Sequence, residues 1–335
     1  MKYKILGNTG LKVSELCLGT MTFGGKGFFK AMGSLGQASV DQLVKRSVDA
    51  GINFIDTANV YSEGWSEELT GQAIRNLGLN RDDLIIATKV RGSMGSGPND
   101  QGLTRKHIMQ QVEASLKRLN LDYIDLYQIH SFDPLTPFEE TLSTLDDLVR
   151  SGKVRYIGAS NMTAWQLMKA VDYSYYNQKA KFISMQSYYS LAGRDIEREL
   201  ISLLKDQKIG LMVWSPLAAG LLSGKYNKNG QSEEGGRLNN FASFPVNRDR
   251  AFNIIDVLKP MAESKNATVA QLSLAWLLHQ SAVTSVIIGA NKMEQLDDNL
   301  KSVDIVFTDD ELKTLDEVSQ LPVEYPGWML GRGNR

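Results

Sequence analysis

One cysteine, Cys17, stands among 335 residues, so the chain cannot close a disulfide on itself. That favours a reducing compartment. The three histidines, His107, His130 and His279, are scattered. Neither H-E-x-x-H nor a paired Cys/His spacing occurs, so no metal site is expected. An excess of one charge is also missing. The 37 basic and 38 acidic residues leave a net charge of −1, which gives nucleic acid or an anionic membrane no bulk attraction. The most apolar stretch, LMVWSPLAAGLL (211–222), is too short to span a bilayer and contains Pro216. The opening MKYKILGNTG has no apolar signal-peptide core. A soluble, cytoplasmic protein acting on a small molecule is expected, without nucleic-acid or membrane partners. Three nucleotide and hydrolase motifs are absent too. GTMTFGGKG (19–27) does not fit G-x-G-x-x-G. GLLSGKY (220–226) misses the P-loop, its glycines one residue too close and Tyr226 replacing Ser or Thr. No Gly-x-Ser-x-Gly elbow occurs.

What the sequence does have is alternation. Apolar runs at 14–19, 52–56, 84–89, 123–130, 155–160, 182–186, 210–215 and 285–289 read as eight strands. They are apolar on both faces, as buried parallel strands are. Amphipathic segments lie between them, at 40–51, 66–78, 104–120, 137–152, 164–173, 194–207 and, as a longer pair, 248–280. Thr104 is placed to cap the third helix, and Gly51, Gly78 and Gly152 fall near helix C-termini. Eight strand–helix units predict one α/β domain over 1–335, a closed (β/α)8 TIM barrel. A doubly wound sheet is the runner-up. Residues 2–13 read as a hairpin turning at Asn8-Thr9-Gly10, which plugs the barrel bottom. Two long loops, 20–38 and 216–247, follow the first and seventh strands. Loops of that length are usually functional, and both fall on the C-terminal face, where barrel active sites are built.

In that frame Asp56, Lys89, His130, Ser160, Gln186 and Ser215 end strands at one mouth, and Tyr61 follows Asp56 in GINFIDTANVYSEGWSEELTG (51–71). Singly, each has an ordinary structural role. Together, clustered titratable groups perturb one another. A phenol is a weak acid at neutral pH, and a neighbouring ammonium favours its phenolate. A buried lysine in turn needs a counter-ion. The chain Asp56–Lys89–Tyr61 therefore reads as a tuned general acid. His130 beside it would orient a substrate oxygen. Such a set suits protonating an oxygen that becomes an alkoxide, as when a carbonyl accepts a hydride.

The segments DTANVYSEGWSEELTG, LYQIHSFDP, GKVRYIGASN, MQSYYSL, WSPLAAGLLSGKY and IIGANKMEQLDDN occur in this order over most of the chain. They resemble the aldo-keto reductase superfamily, most of all bacterial members related to potassium-channel β subunits. The resemblance implies the barrel, NADPH lying extended across its mouth, and reduction of an aldehyde or ketone. It implies a tetrad at Asp56, Tyr61, Lys89 and His130. It puts the nicotinamide carboxamide at Ser160, Asn161 and Gln186, with Trp214 against the ring and Gly19, Thr20 and Met21 alongside. The pyrophosphate loop falls on Ser215, Pro216, Leu217, Gly220 and Leu222, with Lys225 and Arg237 as phosphate partners. The adenosine end falls on Ile288, Gly289, Ala290, Asn291, Lys292, Gln295 and Asn299. There the sequence departs from the family, which often has an arginine where Asn291 stands. Lys292 remains as a point charge, so NADPH is expected over NADH by a modest margin. Phe23, Trp65 and Phe132 are candidate substrate-pocket residues. Two other functions remain open: a cofactor-binding regulatory subunit with little turnover, and a Schiff-base enzyme using Lys89. The sequence does not separate a monomer from a homo-oligomer.

Overall fold

The computed structural model describes residues 1–226 and 246–330. A two-stranded antiparallel hairpin, β1 (Tyr3–Ile5) and β2 (Lys12–Ser14), comes first. Eight parallel strands then close a barrel: β3 (Leu16–Gly19), β4 (Phe54–Asp56), β5 (Ile85–Val90), β6 (Ile124–Ile129), β7 (Val154–Ser160), β8 (Phe182–Tyr188), β9 (Gly210–Trp214) and β10 (Val283–Ile288). Every run read as a strand is one of these. They are apolar on both faces because one face fills the lumen and the other packs under helices.

The helices between strands are α1 (Gln37–Asp49), α2 (Trp65–Asn76), α3 (Arg105–Leu119), α4 (Phe138–Arg150), α5 (Ala164–Tyr176), α6 (Leu200–Gln207), α7 (Arg248–Ser264) and α8 (Val269–His279). The caps are as read. Thr104 Oγ1 accepts the His107 amide at 3.3 Å. Gly51, Gly78 and Gly152 take φ of 89°, 59° and 76° just beyond α1, α2 and α4, the left-handed stop that suits glycine. The sixth helix starts later than the pattern suggests. Arg194 ties Glu197 and the Asp316 carboxylate together, and this anchors a separate 3-10 turn at Asp195–Glu197. Periodicity gives no helix beyond Gln280, yet α9 (Met293–Leu300), α10 (Asp309–Ser319) and α11 (Gly327–Leu330) follow. In α10 only Leu315 and Ser319 are buried, so its charges hide the stripe.

The hairpin does close the barrel bottom. Leu6 is fully buried, and a Cβ on Gly7 (φ 61°) would lie 2.1 Å from the Ile183 carbonyl oxygen. Only glycine fits that approach. Lys4 Nζ donates to the Val283 carbonyl at 2.9 Å. The plug thus sits at the N-terminal ends of β8, β9 and β10, leaving the other end open for chemistry. No helix among the described residues is long and apolar enough to cross a membrane.

Candidate active site

Asp56 is the last residue of β4 and Lys89 the last but one of β5. Both are buried, and Lys89 Nζ lies 2.5 Å from Asp56 Oδ2. The ammonium also donates to the Thr57 carbonyl at 2.9 Å and to Tyr61 Oη at 3.3 Å. Burial on its own would make Lys89 a weaker base. The charges and hydrogen bonds of Asp56 and Tyr61 outweigh it, and the net direction is upward. Lys89 is therefore a fully charged ammonium, held between a carboxylate and a phenol.

Tyr61 reaches this point through a strained turn. Residues Tyr61–Gly64 form a 3-10 turn in which Ser62 and Glu63 take φ of 51° and 60°, followed by Gly64 at 92°. Left-handed backbone costs a non-glycine residue about 1–2 kcal/mol. The turn is fixed from outside. Ser62 Oγ donates to the Phe23 carbonyl and accepts the Gly25 amide, both at 2.9 Å. The loop after β3 thus clamps the tyrosine against β5.

His130 follows β6, and its ring meets Tyr61 edge-on with centroids 5.9 Å apart. Burial, with the Lys89 and Arg91 charges adding to it, pushes its pKa from 6.5 down to about 3. The imidazole is neutral and able to donate one hydrogen bond without adding charge. The His130 carbonyl accepts Asn161 Nδ2 at 2.9 Å.

Three groups named for the carboxamide are joined to one another. Asn161 Nδ2 donates to Ser160 Oγ at 3.0 Å, and Ser160 Oγ donates to the Gln186 carbonyl at 2.9 Å. Trp214 Nε1 donates to Asn161 Oδ1 at 3.0 Å, which fixes a half-buried indole at the mouth beside Tyr188. Gln186 Nε2 reaches down to Asp56 Oδ1 at 3.0 Å. An indole and side-chain amide and hydroxyl groups thus surround one opening, and a flat, amide-bearing ring such as nicotinamide fits them.

Gly19 and Thr20 lie beside Asp56, whose carbonyl accepts the Thr20 amide at 3.0 Å. Met21 is half-buried in the loop that follows. Beyond β9, Ser215, Ala218, Ala219 and Gly220 all have positive φ, a curled backbone of the kind that makes anion-binding concavities. Leu217 is half-buried, Pro216 and Leu222 are buried, and Lys225 is exposed. Arg237 lies outside the described residues. At the other edge Ile288 is buried and Gly289 has space above it for a Cβ, with only the Gly19 carbonyl 3.9 Å away. The Ala290 carbonyl accepts Thr22 Oγ1 at 3.0 Å. Asn291 is engaged, donating from Nδ2 to the Met32 carbonyl at 3.0 Å while its amide binds Gln295 Oε1 at 2.9 Å. Lys292 is exposed at the start of α9, and Asn299 is buried.

The aromatic residues divide differently from expectation. Phe23 has no exposed surface and is part of the core. Phe29, which no pattern singles out, instead stands 5.2 Å from the Tyr61 ring. Trp65 is half-buried under the Lys26 ammonium, 4.1 Å from its centroid, and Phe132 packs on Phe138 and Trp165. A second unexpected residue is Gln128, whose Nε2 donates to Asp56 Oδ1 at 2.9 Å. Its signal was present in LYQIH: an amide inside a buried strand, two residues before His130, is an anomaly that needs a partner. Among the described residues no cluster of His, Cys, Asp or Glu could hold a metal ion.

A charged ammonium beside a phenol is an arrangement for moving a proton to or from oxygen, and an amide-binding mouth next to it suits a nicotinamide. Oxidoreductases that use NAD(P)H combine the two, and this chain is one of them. The aldo/keto reductase family model matches residues 15–320, and the chain belongs to that family, whose chemistry is carbonyl reduction. It is 39% identical over 312 residues to a probable voltage-gated potassium channel subunit beta of Arabidopsis thaliana, covering 91% of this chain and 92% of that protein. It is 36% identical over 337 residues to a putative aryl-alcohol dehydrogenase of Schizosaccharomyces pombe, covering 94% and 95%. It is 35% identical over 352 residues to the versiconal hemiacetal acetate reductase of Aspergillus parasiticus, covering 98% and 99%.

Proposed function

We propose that the chain reduces an aldehyde or ketone to the alcohol with NADPH, and that Tyr61 supplies the proton. The observation that carries this reading is the Lys89 ammonium, 2.5 Å from Asp56 and 3.3 Å from Tyr61 Oη. Bound NADPH supplies the hydride. Ser160, Asn161 and Gln186 would hold its carboxamide, and Trp214 would back the ring. The carbonyl oxygen sits between Tyr61 Oη and the neutral His130, whose N–H orients it. As negative charge develops on that oxygen, Tyr61 gives up its proton. Lys89 stabilises the phenolate left behind, and Asp56 keeps Lys89 charged and in place. The Schiff-base alternative needs an unpaired, neutral lysine, and the Asp56 pair opposes that. The regulatory reading draws on the relatives named as channel subunits; here Asp56, Lys89 and Tyr61 stand in hydrogen-bonded contact.

The test is NADPH oxidation with a panel of aromatic and aliphatic aldehydes, run on the native chain and on Tyr61→Phe. The variant should lose roughly 10²–10⁴-fold in kcat while its cofactor affinity, read from tryptophan fluorescence, stays within a few-fold. A variant with near-native turnover would rule out Tyr61 as the proton donor.

A further inference from the structure

Asp56 has two oxygens, and only Oδ2 faces Lys89. Its other oxygen, Oδ1, accepts two buried amide donors: Gln128 Nε2 at 2.9 Å and Gln186 Nε2 at 3.0 Å. The two amides are joined as well, Gln186 Nε2 donating to Gln128 Oε1 at 3.3 Å. The three side chains come from β4, β6 and β8. In a barrel of this type, alternate strands fill one interior layer, and bulky aliphatic side chains usually do so. Here the layer is a closed hydrogen-bonded set around one carboxylate.

A second observation comes from β7. A Cβ added to Gly158 would lie 2.4 Å from Ser184 Oγ and 3.1 Å from Gln128 Cγ. Gly158 pairs directly with Gln128 in the sheet register. Glycine here keeps open the space through which the Gln128 side chain crosses the lumen.

From this we infer that Gln128 is a positioning residue: it holds Oδ1 of Asp56 so that Oδ2 stays on Lys89. Removing Gln128 takes one donor from Oδ1 and frees the other, Gln186 Nε2, from its anchor on Gln128 Oε1. A carboxylate so loosely held at Oδ1 can rotate about its last bond, and the salt bridge then loses its geometry. Gln128 touches neither Tyr61 nor His130 through any of these bonds, so its effect passes through Asp56. The proposal rests on the reductase reading for its kinetic arm and on geometry alone for its spectroscopic arm. The ionisable groups facing the relay are Tyr61 and His130 from above and the buried Cys17 thiol on β3, whose titration feels both Asp56 and Lys89.

The experiment uses Gln128→Met, which keeps the length and removes the donor. Its kcat should fall by about 10- to 100-fold, the range for a hydrogen bond to a charged group. The aldehyde KM should change little. In an Asp56→Asn background the same substitution should cost almost nothing more, because the two residues act as one unit. Independently of turnover, NMR of the lysine ammonium groups should show a slowly exchanging Lys89 signal, identified by its loss in Lys89→Met. Gln128→Met should make that signal exchange faster. If the methionine variant does not fold, Gln128→Asn, too short to reach Asp56, is read in the same way. Unchanged kcat and an unchanged Lys89 signal would overturn the proposal, as would additive losses with Asp56→Asn. A wild type that binds NADPH but reduces no carbonyl would sink the reductase reading and leave the NMR arm to decide this one.

Discussion

Along β4, Phe54 and Asp56 stand two residues apart on the same face of the strand. On β5 the corresponding pair is Ala87 and Lys89, on β6 Leu126 and Gln128, and on β8 Ser184 and Gln186. In each pair the first residue is deeper in the lumen. Phe54, Ala87 and Leu126 join Cys17, Met212 and the hairpin residues Leu6 and Val13 in one dry cluster. The second residues are tied into the Asp56 network. One step of the pleat, about 6–7 Å, thus separates a layer that holds the barrel shut from a layer that holds a charge. The lower layer's free energy comes from excluding water. The upper layer takes a carboxylate and an ammonium out of water and persists because each oxygen and proton named above has a partner.

The largest break in this comparison is expected at Lys89. Lys89→Met strips the relay of its cation and leaves Asp56 buried with two amides only. Turnover should drop as far as in Tyr61→Phe, and the double variant should be no worse than either alone. Removing one partner of a buried pair also destabilises by about 3–5 kcal/mol, so chemical unfolding should shift in Lys89→Met and stay near native in Tyr61→Phe. Independent, additive losses in kcat would mean that the two side chains do not form one relay.

Leu126→Ala makes the opposite cut in the lower layer. It should destabilise by about 2–5 kcal/mol, measured by denaturant titration. The kcat and KM of the folded enzyme should remain close to native, because nothing in the cluster reaches the mouth. A large kinetic defect at undiminished stability would show that the layers are coupled.

His130 sharpens the comparison through pH. Its imidazole titrates near 6.5 in an unfolded chain and is held down to about 3 here, chiefly by burial, with Lys89 and Arg91 adding to it. Below about 6.5 the unfolded state therefore binds a proton that the folded state refuses. Stability is retained above that pH and is lost progressively as pH falls towards about 3. Melting temperatures of His130→Gln should fall less steeply over that window. His107 on α3 is depressed in the same direction by burial, so the variant should keep part of the slope. Parallel curves for both proteins would show that His130 is not the group responsible.

The sequence made the barrel legible because each strand is apolar on both faces and each helix has its own stripe. Asp56, Lys89, Tyr61 and His130 were legible because an acid, a lysine and a histidine at strand ends violate that pattern. Gln128 violates it equally, and in the structure it is the last but one residue of β6 as Lys89 is of β5. The apolar run 84–89 ends at Lys89, whereas the run 123–130 ends at His130 and leaves Gln128 inside it. Phe29 left no trace of any kind. Its place against Tyr61 is set by a glycine-rich loop whose path depends on Ser62, 33 positions further on, and no local periodicity records that. The helices after β10 were missed although Thr308 and Glu311 form a capping box there, a signature readable from spacing alone.

The smallest effect is expected at the far edge of the site, at Asn291 and Lys292. Asn291 is committed to the Met32 carbonyl by its side chain and to Gln295 by its amide. Its neighbour Lys292 is exposed at the start of α9. A lone ammonium in water gives a 2′-phosphate a modest, salt-screened attraction. NADPH should therefore bind only a few-fold more tightly than NADH, and the margin should shrink as ionic strength rises. Asn291→Arg would add a planar, bidentate donor, and a charge-assisted bond of that kind is worth about 1.5–3 kcal/mol. The lost bond to Met32 is missing from both cofactor complexes and cancels from their ratio. The preference should widen by roughly tenfold to a hundredfold. It is measured as the ratio of dissociation constants in parallel fluorescence titrations with the two cofactors. If NADH matches NADPH in the native chain and the arginine changes nothing, the 2′-phosphate does not meet this edge of the barrel.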